Sequence, residues 1–207
     1  MTIPLDNRLL SIILYSDATT CDQLGKTTEH PIYLSLGNIS NWWRDKPYAK
    51  VLIGYLPKLK AKDIYTQNTE SFRQLQRQVF QQCLHILLTP ILGQQDMHFI
   101  IKDQIYAFTP KISVILADMA EAGLFTGTYL PSTSKRPCHT CCVTNENLNN
   151  MALSNIILRT PEKMQAIINA GRSKEYSIHE ENNFLWNFGL VQNLFNNRLT
   201  SILTIID

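Results

Sequence analysis

Across residues 71–88 the apolar side chains of Phe72, Leu75, Val79, Cys83, Ile86 and Leu87 recur three or four positions apart, while Arg73, Gln74, Arg77, Gln78, Gln81 and Gln82 fill the opposite side. That period is helical, so the segment reads as an amphipathic helix of about five turns. Thr69 or Ser71 is its expected cap and Thr89-Pro90 its expected break. The segments around it follow a different rule. Residues 9–15, 31–36 and 51–56 are short, apolar and rich in β-branched and aromatic residues, the second closed by Gly37-Asn38 and the third by Pro57. Strand character returns in residues 99–101, 105–108 and 112–117. Three strands, one long helix and a further set of strands predict a mixed α/β fold: antiparallel strands, a helix and a parallel return.

Composition narrows the class without naming a function. A chain of 207 residues with 44% hydrophobic residues is enough for one domain, or one domain carrying an insertion. No apolar run reaches the ~18 residues that span a bilayer. The first residues lack the basic start and cleavage site of a signal peptide. A net charge of +2 is too mild to identify a nucleic-acid binder. Locally, Arg44, Lys46, Lys50, Lys58, Lys60 and Lys62 face one acid, Asp45, and a second basic run over residues 131–174 faces Glu146 and Glu162. Either run can track phosphates or form an ordinary solvated loop. From Pro131 the composition turns to Ser, Thr, Asn, Pro and Cys, which places an expected boundary there. Thr160 and Pro161 open a short helix running to Ala170. The expected division is residues 1–130 as a core, 131–182 as an insertion and 183–207 as an unassigned tail.

Two segments share a design. Ser11-Ile12-Ile13-Leu14-Tyr15-Ser16-Asp17 and Ser113-Val114-Ile115-Leu116-Ala117-Asp118 each run an apolar strand into an aspartate. A carboxylate buried at such a strand end needs a neutralising partner, and a shared divalent cation would supply one. The competing reading makes each aspartate a turn former or helix cap. A second feature is Cys138-His139-Thr140-Cys141-Cys142. Two thiolates spaced CxxC form half of a tetrahedral zinc site, with His139, Cys142 and His179 as nearby candidates for the rest. Thiol redox chemistry is the weaker alternative, since the pair does not sit between a strand and a helix. Cys83 and His85 belong to the core or edge of the long helix, and Cys21 has no assigned role. Trp42-Trp43, beside Arg44, either offers a stacking surface for bases or packs a loop.

Taken in order, these blocks resemble a family. Ile13-Leu14-Tyr15-Ser16-Asp17-Ala18-Thr19, then Pro31–Leu36 with Gly37-Asn38-Ile39, Val51-Leu52-Ile53-Gly54-Tyr55-Leu56-Pro57 and the end of the long helix are similar to the opening of Plavaka-type transposases. These are fungal members of the Kyakuja–Dileera–Zisupton superfamily. The resemblance continues through Ile115-Leu116-Ala117-Asp118-Met119-Ala120-Glu121, Thr126-Gly127-Thr128-Tyr129, the CxxC and Leu158-Arg159-Thr160-Pro161-Glu162, about residues 11–186 in all. It implies a ribonuclease-H-like mixed sheet with flanking helices, and DDE-type cleavage and joining of DNA with Mg²⁺ or Mn²⁺. Asp17 would be the first catalytic acid, Asp118 the second, and Cys138 and Cys141 part of a cysteine-containing insertion that can hold zinc. It also implies DNA as partner, at transposon ends and target, and a nuclear location. The third acid is not found. Glu175, Glu180 and Glu181 lie too close to the insertion, and residues 189–207 do not read as the family's continuation. The expectation is therefore a transposase fragment, incomplete in fold and inactive alone. The alternative is a non-catalytic zinc or DNA-binding module.

Overall fold

The computed structural model describes residues 3, 5–21, 28–130, 134–181 and 183–188. By contact these form two units. One holds the described residues up to Leu56 together with Cys83–Leu116, and the other holds Pro57–Gln82 and the described residues from Ala117 onward.

The first unit is built on a five-stranded mixed sheet. Its strands are β1 (Arg8–Ser16), β4 (Pro31–Leu36), β5 (Val51–Tyr55), β6 (Met97–Ile101) and β7 (Gln104–Leu116), while β2 (Thr19–Thr20) and β3 (Thr28–Glu29) pair separately. The order β5-β4-β1-β7-β6 puts β1 at the centre. β1 pairs antiparallel with β4 and parallel with β7, and β4 pairs antiparallel with β5. This is the antiparallel run and parallel return expected of a ribonuclease-H-like mixed sheet. Central position explains the composition of β1: Leu10, Ile12 and Leu14 are buried, and buried Ser11 and Ser16 find polar partners. Ser11 Oγ donates to Ser113 Oγ at 2.7 Å, and His30 Nε2 lies 2.8 Å from Ser16 Oγ. At Gly37 a Cβ would lie 2.3 Å from Ser11 Oγ, so the turn after β4 closes on β1 only with glycine there.

The strands expected at 105–108 and 112–117 are one strand, β7, running through Pro110. Proline fits because the antiparallel partner β6 ends its pairing at Met97↔Phe108, before an N–H would be needed on that side. The β6–β7 hairpin turns on Lys102 and Asp103, both left-handed (φ 51° and 61°), as a two-residue primed turn requires.

The long helix α3 (Glu70–Leu92) also departs from expectation. Thr69 opens it, its Oγ1 accepting from Phe72 N at 3.3 Å, but the helix continues through Pro90. Thr89 Oγ1 donates to the His85 carbonyl, and Gly93 N to the Thr89 carbonyl, so helical bonding resumes directly after the proline. The buried positions in its back half are Leu84, Leu88 and Leu92, four apart, whereas Leu75 and Ile86 are exposed. Leu87 reaches the sheet where Gly54 of β5 leaves room; a Cβ there would sit 2.9 Å from Leu87 Cδ1.

The second unit has no extended sheet among its described residues. Before α3 come α1 (Asn41–Arg44), in the first unit, and α2 (Ile64–Gln67); after it come α4 (Met119–Thr126), α5 (Pro161–Asn169) and α6 (Ser173–Tyr176). Thr160 caps α5 and Pro161 is its first residue, as expected. Phe80, Ala122, Phe125, Met164, Ile178, Phe184 and Leu185 form the core. Gln81 links three segments, donating to the Leu124 carbonyl at 3.1 Å and accepting from Phe184 N at 3.0 Å. Beside it Arg77 donates to Glu181 Oε1 from Nη2 (2.6 Å) and Nε (2.9 Å), and also to Glu70 (2.7 Å). The boundary expected at Pro131 and most of the 183–207 tail lie outside the described residues. Among the described residues no helix is long and apolar enough to cross a membrane.

His179 packs against Tyr129 with the rings tilted (4.6 Å between centroids), and its Nδ1 lies 4.0 Å from Glu181 Oε2. Burial and the Arg77 charge lower its pKa to about 4, against a weaker opposing pull from Glu181 and Glu70. A histidine held neutral in the fold binds its proton more readily when unfolded. Its contribution is therefore complete above the unfolded value near 6.5 and is lost as pH falls from there towards 4. Allowing for solvent at the ring, we expect on the order of 2 kcal/mol to disappear across that window. Urea unfolding between pH 7 and 4 should show this loss in the natural protein and a flatter dependence in His179→Gln.

Candidate functional site

The parallel pairing of β1 with β7 aligns the two segments that end in aspartate. Their register runs Ile12↔Ile112, then slips by one residue and continues Ile13↔Val114, Leu14↔Ile115, Tyr15↔Leu116. The slip at Ser113 is a β-bulge, and it brings the two strand ends level. Asp17 and Asp118 each follow the last pair by two residues along the chain. Neither carboxylate is buried, however; both residues are exposed. The argument that burial forces a neutralising cation therefore does not apply.

Asp17 accepts from the Tyr15 hydroxyl through Oδ2 at 3.1 Å, and its carbonyl accepts from Thr19 Oγ1. Asp118 is the N-cap of α4: its Oδ1 accepts from Glu121 N at 2.7 Å. The capping role that sequence alone left open is thus present, and it uses one of the two oxygens. Gly127, left-handed at φ 71°, ends the same helix. Glu121, in the first turn, is buried, a feature that sequence reading did not single out.

The donor types at Asp17 and Asp118 are hard carboxylate oxygens, the kind that Mg²⁺ and Mn²⁺ take. Among the described residues no three His, Cys, Asp or Glu side chains gather into a group able to hold a metal ion. Two other acids weighed from the sequence are engaged elsewhere, Glu175 by Arg172 (2.8 and 2.9 Å) and Glu181 by Arg77.

The cysteine segment is a loop closed over a buried cation. Cys141 bridges antiparallel to Leu158, and Cys142 N donates to the Ile157 carbonyl. Arg159, 1% exposed, sends Nε to the carbonyls of Cys138 (2.9 Å) and Cys141 (3.1 Å), and Nη2 to those of Arg136 (3.0 Å) and Tyr176 (2.8 Å). Burial holds this guanidinium below its ordinary value, and the nearby cysteines oppose that. Arg159 therefore cannot serve in the basic run expected to track phosphates. Arg136 packs over Tyr176 and donates to the Cys142 carbonyl.

The three thiols differ. Burial would raise Cys138, but hydrogen bonds from Thr140 and from the Cys141 thiol together bring it below the usual thiol value. Burial raises both Cys141 and Cys142. Two sulfurs side by side supply half of a tetrahedral zinc set. Cys83 is half-buried on α3, and burial raises its thiol too.

Trp42 and Trp43 do not pack a loop interior. They are 62% and 50% exposed and meet edge to face with centroids 4.8 Å apart.

A family model described as Plavaka transposase matches residues 4–201. No curated protein matches the chain. The thiol order gives a direct test: at pH 7.5 iodoacetamide should modify Cys138 and exposed Cys21 well before Cys142. Peptide mass spectrometry over a time course reads that order, and equal rates for Cys138 and Cys142 would contradict the loop's electrostatics.

Proposed function

The chain belongs to the Plavaka transposase family, and from that premise we propose that Asp17 and Asp118 are two of the acids with which a DDE-type core cleaves and joins DNA. The observation that carries this reading is the bulged parallel pairing of β1 and β7, which brings Tyr15 and Leu116 into register just before the two aspartates. Both residues would hold Mg²⁺ or Mn²⁺, which when bound supplies Lewis-acid polarisation of a phosphodiester. Their part is to present hard oxygens where a DNA backbone can approach, and exposure favours that. The bond from Glu121 N fixes how Asp118 is turned. The tyrosine hydroxyl on Asp17 does the same for the first acid.

A third acid is not assigned: Glu175, Glu180 and Glu181 all lie close to the insertion in the chain, and Glu175 and Glu181 are also held by arginines. On this reading DNA is the partner, the nucleus the place of action, and strand cleavage by this polypeptide alone is not expected.

Manganese titration followed by electron paramagnetic resonance tests the assignment without relying on activity. Asp17→Asn and Asp118→Asn should each weaken Mn²⁺ binding by at least ~10-fold, the loss usual even for an outer-shell partner. Asparagine caps a helix as well as aspartate does, so the fold should survive at Asp118. Binding unchanged in both variants would sink the assignment. Plasmid nicking with Mn²⁺ that Asp17→Asn abolishes would overturn only the expectation of inactivity.

The second reading, a non-catalytic zinc and DNA-binding module, is favoured by the paired Cys138 and Cys141 sulfurs. One zinc per purified chain, together with DNA binding indifferent to both aspartate variants, would decide for it.

A further inference from the structure

The connection between β4 and β5 carries an exposed aromatic cluster that the strand-end aspartates do not use. Trp42 and Trp43 stand on the single turn of α1, and Tyr48, 67% exposed, follows on a 3-10 turn with its ring 6.1 Å from Trp43. Large rings left in water at this density mark a binding surface more often than a packing fault.

The support beneath them is ordered. Arg44 turns inward, its Nη2 donating to the carbonyls of Ile39 (2.9 Å) and Gly37 (3.5 Å), so it anchors the loop rather than meeting a ligand. Main-chain bonds from Trp43 and Arg44 to Ser40, from Asp45 to Asn41 and from Ala49 to Lys46 fix the rest. Cations stand among the rings: Lys46 Nζ lies 4.5 Å over the Trp42 ring, and Lys50 is exposed, against the single acid Asp45.

We infer that Trp42, Trp43 and Tyr48, with Lys46 and Lys50, form a platform for the unpaired bases of a DNA strand. The inference rests on the DNA-handling reading and gives it a surface. Base rings stack on indole and phenol faces whatever their sequence; Lys46, lying over one face of Trp42, and Lys50 supply cations for the phosphates, the combination by which single strands are held. A duplex hides its base faces in the stack and would gain only the lysine contacts. A protein partner would use the rings but has no need of cations interleaved with them.

The test uses the whole chain and two probes, a fluorescein-labelled 12-nucleotide oligo(dT) and a blunt duplex of equal length, read by anisotropy at fixed salt. The double variant W42A/W43A should lose at least ~10-fold in oligo(dT) affinity, as expected from the loss of one stacked base or more. Duplex affinity should change little, and W42F/W43F should retain most of the single-strand binding. Because these side chains are exposed, circular dichroism of the variants should match the natural protein. Oligo(dT) affinity unchanged in W42A/W43A while duplex still binds would overturn this inference alone. Failure of the natural chain to bind either probe would remove the DNA reading beneath it. If W42A/W43A instead only changes the sedimentation of the protein, the cluster is a contact between copies and the inference is wrong.

Discussion

Everything in the first unit hangs on the pairing of β1 with β7. A parallel pair cannot be closed by a hairpin; the chain must leave the sheet, cross and return. Here it leaves after two antiparallel strands, passes along α3 and comes back through the β6–β7 hairpin. The central strand is thereby bonded on both edges, which is why it carries buried Leu10, Ile12 and Leu14, and why its buried serines are satisfied by side chains from neighbouring segments. The bulge at Ser113 is the one irregularity in that pairing. Without it β7 would run one residue out of step with β1 at the end where both strands give way to aspartates.

Much of this was legible in the residues. Strands rich in Ile, Leu and Tyr declared themselves, as did the cap at Thr160-Pro161 and the long helix, because each signal is local. What failed was non-local. The face of α3 was misjudged because Leu75 and Ile86 fit the period as well as Leu84 and Leu88, and only the position of the sheet decides between them. The helix also passed its proline and resumed its bonding at Gly93, an outcome that the Thr-Pro pair does not announce. One- and two-turn helices such as α1 and α4 give too little periodicity to detect.

The candidate site divides in the same way. The two aspartates were visible from their repeated context, yet their exposure was not, and it removes the energetic argument that first drew attention to them. Arg159 was counted as a surface charge because its acceptors are main-chain carbonyls, which leave no mark in a sequence. The tryptophans, by contrast, stand out as residues, but whether the pair is packed or exposed depends on the fold around it.

The carbonyls gathered by Arg159 come from residues 136, 138, 141 and 176, on both sides of it in the chain. During synthesis the cysteine loop emerges first, then the arginine, and the last acceptor only with Tyr176. Until then a charge destined for the interior lacks part of its shell, and unpaired burial is unfavourable. Three of the four acceptors are already made when the arginine emerges, and Tyr176 supplies the last. The shell of the buried charge is thus completed only at the turn of α6, and an insertion between Arg159 and Tyr176 would leave that charge one acceptor short beneath the cysteines.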